Sequence, residues 1–212
     1  KNTFTVILQQ STIKDISAFG DWNYLFNLRL VYGPYYSKKI NKYGSYFEIG
    51  NPRYDKSFKN IFEEEKIKKI KKGLDPKKKN LLYIPSLDNF STIKLFLSKI
   101  IELRRKYNIL FKVQSNSIEN NLLEIKKINK KLKNFFYIEN DFNSLYELAD
   151  LVICDFGDAL FDAIYLNKPL IFLQKNDLEK EENDFLKKFF TRINLKSVLK
   201  DANKLENKIE IL

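Results

Sequence analysis

Short apolar runs alternate with amphipathic stretches along nearly the whole chain. "FTVIL", "YLFNLRLVY", "YFEIG", "LLYIP", "ILFKV", "FFYIEN", "LVIC" and "PLIFL" read as strands. Between them, "PYYSKKINKYG" reads as a helix opened by Pro34 and stopped near Gly44. "SFKNIFEEEKIKKIKKG" carries Glu early, Lys late and Gly73 at its end, an order that complements a helix dipole. "STIKLFLSKIIELRRKYN", "SIENNLLEIKKINKKLKN", "DFNSLYELAD" (capped by Asp141 or Asn143) and "ALFDAIYLNK" complete the helices, and charged helices close the chain. Strands alternating with helices of this length predict βαβ units and a parallel sheet. The strands are continuous apolar runs, as expected where helices cover both faces. The polar, proline-containing stretch "LDPKKKN" is the best boundary. The predicted architecture is α/β: residues 1–74 as the end of a first α/β lobe, and residues 75–212 as a doubly wound, Rossmann-like second lobe.

Composition narrows the chemistry. Of 212 residues, 44% are hydrophobic, enough for a real core. No apolar run is long enough to span a bilayer, and no signal-peptide pattern opens the chain. There is no methionine, and the first residues already read as a strand, so an upstream part is expected. Cys154 is the single cysteine, which excludes an intrachain disulfide and fits a reducing, cytoplasmic setting. With no histidine, neither a histidine base nor a zinc site is expected, and no metal is assigned. The net charge of +11 lies in runs such as "KIKKIKKGLDPKKK" and "KKINKKLKN". These are a solvated surface or an attraction to an anionic membrane or polyphosphate. Nucleic acid is not expected as a partner, because no reading motif or arginine cluster is present.

In doubly wound sheets, ligands bind beyond the carboxyl ends of the strands. That rule selects the turns "QQSTIK", "GNPRYD", "PSLDN", "QSNS" and "DFGD". The last is the most informative. Its helix start offers backbone N–H groups and a dipole that favour a phosphate, Gly157 permits close approach, and Asp162 is one turn in, placed for a ribose hydroxyl. The competing reading is a plain cap, with the Asp158 carboxylate taking the same N–H groups and repelling an anion. Arg53 suits a phosphate or carboxylate, or pairs with Asp55 in a tight turn. Ser11 and Lys14 are cleft candidates or a polar loop.

Taken in order, "VILQQSTIKDI", "GNPRYDKSF", "LLYIPSLDN" and "LADLVICDFGDALFDAIYLNKPLIF" resemble the CDP-glycerol glycerophosphotransferase family of teichoic-acid and capsule synthesis. The last stretch carries the most specific match, through Asp155, Phe161, Asp162, Lys168 and Pro169. The resemblance implies a GT-B-like fold and a CDP- or UDP-activated donor as substrate, with no bound cofactor. It implies a cell-surface polymer or lipid-linked acceptor, and a cytoplasmic protein peripheral at the inner face of the cell membrane. It places Arg53, Asp155, Gly157, Asp158 and Asp162 at the donor and Ser11 and Lys14 on the acceptor side. Gln9 and Gln114 stand where the family has its two active-site histidines, Ser115 replaces a proline, and Gly157 and Asp158 replace two serines. Glutamine cannot take a proton near neutral pH. Loss of general-base assistance typically costs about 10²- to 10⁴-fold in rate. Two expectations therefore stand side by side: a transferase relying on positioning and electrostatics, and a degenerate relative acting as a binding or scaffold module.

Overall fold

The structure is a computed structural model that describes residues 3–9, 19–55, 64–86, 91–113, 142–176, 187–191 and 194–212. The expected strand "FFYIEN", the expected helix "SIENNLLEIKKINKKLKN", and Ser11, Lys14, Gln114 and Ser115 lie outside the described residues. The chain divides into two compact units, Lys1–Ile61 and Phe62–Leu212.

The first unit holds a parallel three-stranded sheet in the order β1 (Val6–Leu8), β2 (Leu28–Val31), β3 (Tyr46–Glu48). The run "YLFNLRLVY" is not strand throughout. Its first residues belong to a 3-10 helix, Asp21–Leu25, and the strand begins only at Leu28. Buried Arg29 explains the break: its guanidinium donates to the carbonyl oxygens of Asn23, Phe26 and Ser45, and so holds the 3-10 turn beside the strand. Helix α1 (Pro34–Ile40) starts at proline as expected, continues as the 3-10 turn Asn41–Tyr43, and ends at Gly44 with φ +118. One sheet face is covered: Val31 packs with Tyr36, Ile40 and Tyr43. On the other face the register aligns Val6, Leu8, Leu28, Leu30 and Phe47. Of these, Val6, Leu8 and Phe47 are 47%, 43% and 64% exposed, so among the described residues this side of the sheet is largely uncovered.

The second unit is built on a five-stranded, all-parallel sheet in the order β5-β4-β6-β7-β8. Its strands are β4 (Asn80–Ile84), β5 (Asn108–Phe111), β6 (Leu151–Cys154), β7 (Leu170–Leu173) and β8 (Val198–Leu199). The last lies in a region read from sequence as charged helix; two residues are too few for a pattern to show. Both faces are buried, as continuous apolar strands require. Leu81, Tyr83, Ile153 and Ile171 pack on one face with Ile93, Phe96, Ile100 and Leu103 of α3 (Ile93–Leu103) and Leu205 and Ile209 of α6 (Leu205–Ile211). Leu82, Ile84, Val152 and Phe172 pack on the other with Leu145 and Leu148 of α4 (Phe142–Leu148) and Leu160 and Ala163 of α5 (Asp158–Tyr165). Helix α2 (Glu64–Lys71), which the boundary at "LDPKKKN" assigns to the first lobe, contributes Ile67 and Ile70 to this same second-unit cluster.

That boundary stretch is not a loose linker. Asn108 accepts from the Asp75 N–H (3.0 Å) and donates to the Asp75 carbonyl (2.8 Å) and to Asn80 Oδ1 (2.9 Å). Asn80 in turn donates to the Leu148 carbonyl (2.9 Å), and its N–H meets Asp150 (2.7 Å). The polar network closes the amino-end rim of the sheet and leaves the carboxyl-end rim for other work.

Candidate functional site

The chain runs from β4 outward to β5, then returns past β4 to β6, so the topological switch point lies between β4 and β6. Open parallel sheets bind ligands at such a point. The two strands pair Ile84 with Cys154 at their carboxyl ends, and Asp155 follows directly. Asp155 is fully buried. Its Oδ1 accepts from the Ser86 N–H (2.6 Å), and its Oδ2 from the Thr92 N–H (2.9 Å) and Thr92 Oγ1 (3.0 Å). Thr92 is the N-cap of α3, so the carboxylate sits at the positive end of that helix. Burial pushes its pKa up to about 6, against the opposing effect of these hydrogen bonds. Asp155, expected at the donor, has both carboxylate oxygens engaged inside the protein. Ser86 and Thr92, which hold it, were not singled out in the sequence; a hydroxyl at a helix start was the available signal.

The "DFGD" turn resolves differently from either simple reading. The N-cap of α5 is Gly157, and Asp158 is the first helical residue rather than the cap. Gly157 has φ 165 and ψ −177, an extended conformation that any residue adopts, so the turn does not demand glycine for its backbone. Asp162 does not point outward: it is buried, and the Tyr146 hydroxyl lies 3.5 Å from its Oδ2. The placement expected for a ribose contact is therefore not seen; the side chain faces α4. Lys168 donates to the Ala149 carbonyl (3.2 Å) just past α4, closing that helix end, while Asn167 turns the chain with φ 52. Cys154 is buried, and burial holds its thiol well above the ordinary range, with Asp155 and Asp162 adding to the effect.

In the first unit, Gln9 and the Arg53 turn follow β1 and β3 and so share the carboxyl-end rim of that parallel sheet. The Gln9 N–H donates to the Leu30 carbonyl (2.9 Å), and its Oε1 accepts from the Tyr32 N–H (2.8 Å). Gly50 has φ +73, a left-handed value that favours glycine. Asn51 then accepts from the Arg53 N–H (3.1 Å), Pro52 opens a single 3-10 turn, and Tyr54 is buried beneath it, which leaves the Arg53 side chain exposed. Among the described residues no cluster of three or more His, Cys, Asp or Glu side chains is arranged to hold a metal, and no helix is long and apolar enough to cross a membrane.

Comparison with known proteins agrees with the fold. A structure of the wall teichoic acid polymerase TagF superposes with TM-score 0.60 at 16% identity, covering 95% of this chain and 54% of that one. A TagF variant soaked with CDPG gives 0.53 at 19% identity over 86% and 46%. An α/β-galactoside α-2,3-sialyltransferase from Photobacterium phosphoreum gives 0.51 at 17% identity over 89% and 57%. The chain thus spans about half the length of the TagF chain it matches, and the fold is α/β and GT-B-like. A search of curated protein sequences finds no match. The sequence profile of the CDP-glycerol:poly(glycerophosphate) glycerophosphotransferases matches residues 10–209, and the chain belongs to that family.

Proposed function

We propose that the protein is a transferase of the TagF type, moving a polyol-phosphate or sugar unit from a CDP- or UDP-activated donor to a cell-surface polymer or lipid-linked acceptor. The carrying observation is the family match, which runs through both compact units. In this reading the donor pyrophosphate lies at the start of α5, beside Gly157 and Asp158. In the first unit, exposed Arg53 offers a planar cation suited to a phosphate or carboxylate. Asp155 and Asp162 support that rim from within. Gln9 and Gln114 orient groups where the family resemblance implies histidines, and Ser11 and Lys14 serve the acceptor side. The lysine-rich runs favour an anionic membrane surface at the cytoplasmic face.

A second reading has its own support. The Gln9 side-chain oxygen is engaged by the Tyr32 N–H, and Asp158 brings a negative charge to the helix start that a phosphate needs. Both fit a degenerate member that binds or scaffolds without catalysing transfer.

Calorimetric titration with CDP-glycerol, CDP and UDP-sugars separates them. Binding by the native protein, weakened in Arg53→Ala, supports the transferase reading. Absence of binding, restored in Asp158→Ser, supports the degenerate one.

A further inference from the structure

We propose that Asp155 is a positioning residue of the donor site: its ionised carboxylate ties the start of α3 to the end of β6, and so sets the rim from which α5 begins. The inference rests on the transferase reading and concerns the same switch point.

Three donors converge on this one carboxylate, from residues 63 and 69 positions away in sequence, so no local bond substitutes for it. An ionised carboxylate accepts all three. A protonated one carries a donor into a ring of donors, so a hydroxyl must reverse or a bond must go, and the two backbone bonds lose their charge assistance. The buried hydroxyls of Tyr83 and Ser86 lie close by, with oxygens able to accept a hydrogen bond from the protonated carboxyl. The titratable groups that reach Asp155 among the described residues are Tyr83 of β4 and Cys154 of β6, and Asp162 of α5 acts on the same Cys154. Burial keeps both the phenol and the thiol neutral, so the change of charge between mildly acidic and neutral pH belongs to Asp155. Its raised pKa, about 6, puts that change within the range of ordinary assays.

The test follows backbone amide shifts of Ser86 and Thr92 by NMR in the full chain. In parallel it follows CDP-glycerol affinity by calorimetry from mildly acid to neutral pH, in the native protein, Asp155→Asn and Thr92→Val. A pyrophosphate esterified at both ends has no group of its own titrating there. Both amides are expected to titrate together with a midpoint near 6. Affinity is expected to fall about tenfold one unit below that midpoint, as the competent fraction falls to about a tenth. The dependence should be absent in Asp155→Asn. Thr92→Val, which removes one bond to the ionised form, should raise the amide midpoint and carry the midpoint of the affinity profile with it; a merely structural role would leave the affinity profile unmoved. Amides that do not titrate overturn the inference whether or not the donor binds. Amides that titrate beside a pH-independent affinity overturn the positioning role alone. No CDP-glycerol binding at any pH overturns the donor reading, and the inference with it.

Discussion

The side-chain oxygen of Gln9 accepts the backbone N–H of Tyr32 at 2.8 Å, prolonging the β1–β2 ladder beyond its last strand residue. Gln9 thus has a structural role. Gln9→Leu should lower stability by about 1 kcal/mol, the usual net worth of one hydrogen bond. Gln9→Glu, which keeps an acceptor oxygen, should recover most of it. Urea unfolding of the two variants checks this; equal losses in both would show that the Tyr32 bond contributes nothing.

Gly44 should be the least replaceable glycine in the first unit. Its φ of +118 is a value side-chain-bearing residues rarely adopt, and an added Cβ would lie 3.4 Å from Arg29 Nη1. Gly44→Ala is expected to cost about 1–3 kcal/mol. Gly33 is the control: its backbone is extended, a Cβ there meets nothing within 4 Å, and it caps α1. Gly33→Ser should be neutral or slightly stabilising. Thermal melts that rank the two the other way would refute the strain argument.

Asn108→Leu should destabilise the second unit by about 2 kcal/mol, because it strips a buried side chain that closes four hydrogen bonds and leaves the Asp75 N–H without its acceptor. The denaturant midpoint should drop with the slope unchanged. A fall in slope instead would point to a change in the unfolded ensemble.

These residues also mark where the sequence stopped being legible. Hydrophobic periodicity located the strands "LLYI", "LVIC" and "LIFL" and the helices after Ile93 and near Asp158, because each buries a face and burial leaves a local pattern. The roles of Asn108 and Asp155 depend on partners dozens of residues away, which no local pattern records. "LDPKKKN" looked like a linker for that reason, and Asp155 looked available to a ligand. "YLFNLRLVY" was misread because its apolar spacing fits a strand as well as a tight turn, and Arg29 decides between them from the interior.

Protonation of Asp155 should raise global stability. Its pKa lies near 6 in the folded chain against an ordinary value of 3.8, so the folded state holds the proton more tightly. Stability attributable to this group should therefore increase as pH falls from about 6 to about 4, by roughly 3 kcal/mol at about 1.4 kcal/mol per pH unit. Asp155→Asn should lose that slope. Unfolding free energies of native protein and variant at the two ends of this window give the difference directly; parallel pH profiles would refute it. The charged form is thus the less stable form of the fold.

The bare side of the β1–β3 sheet carries a warning for anyone dividing the chain. Val6, Leu8 and Phe47 look outward, and β1 and β3 are both edge strands among the described residues. A fragment ending at Ile61 would present a greasy plane with open hydrogen-bonding margins, the combination that lets sheets stack and zip together. Such a fragment would clump in the tube, and an assay on it would report on the clump.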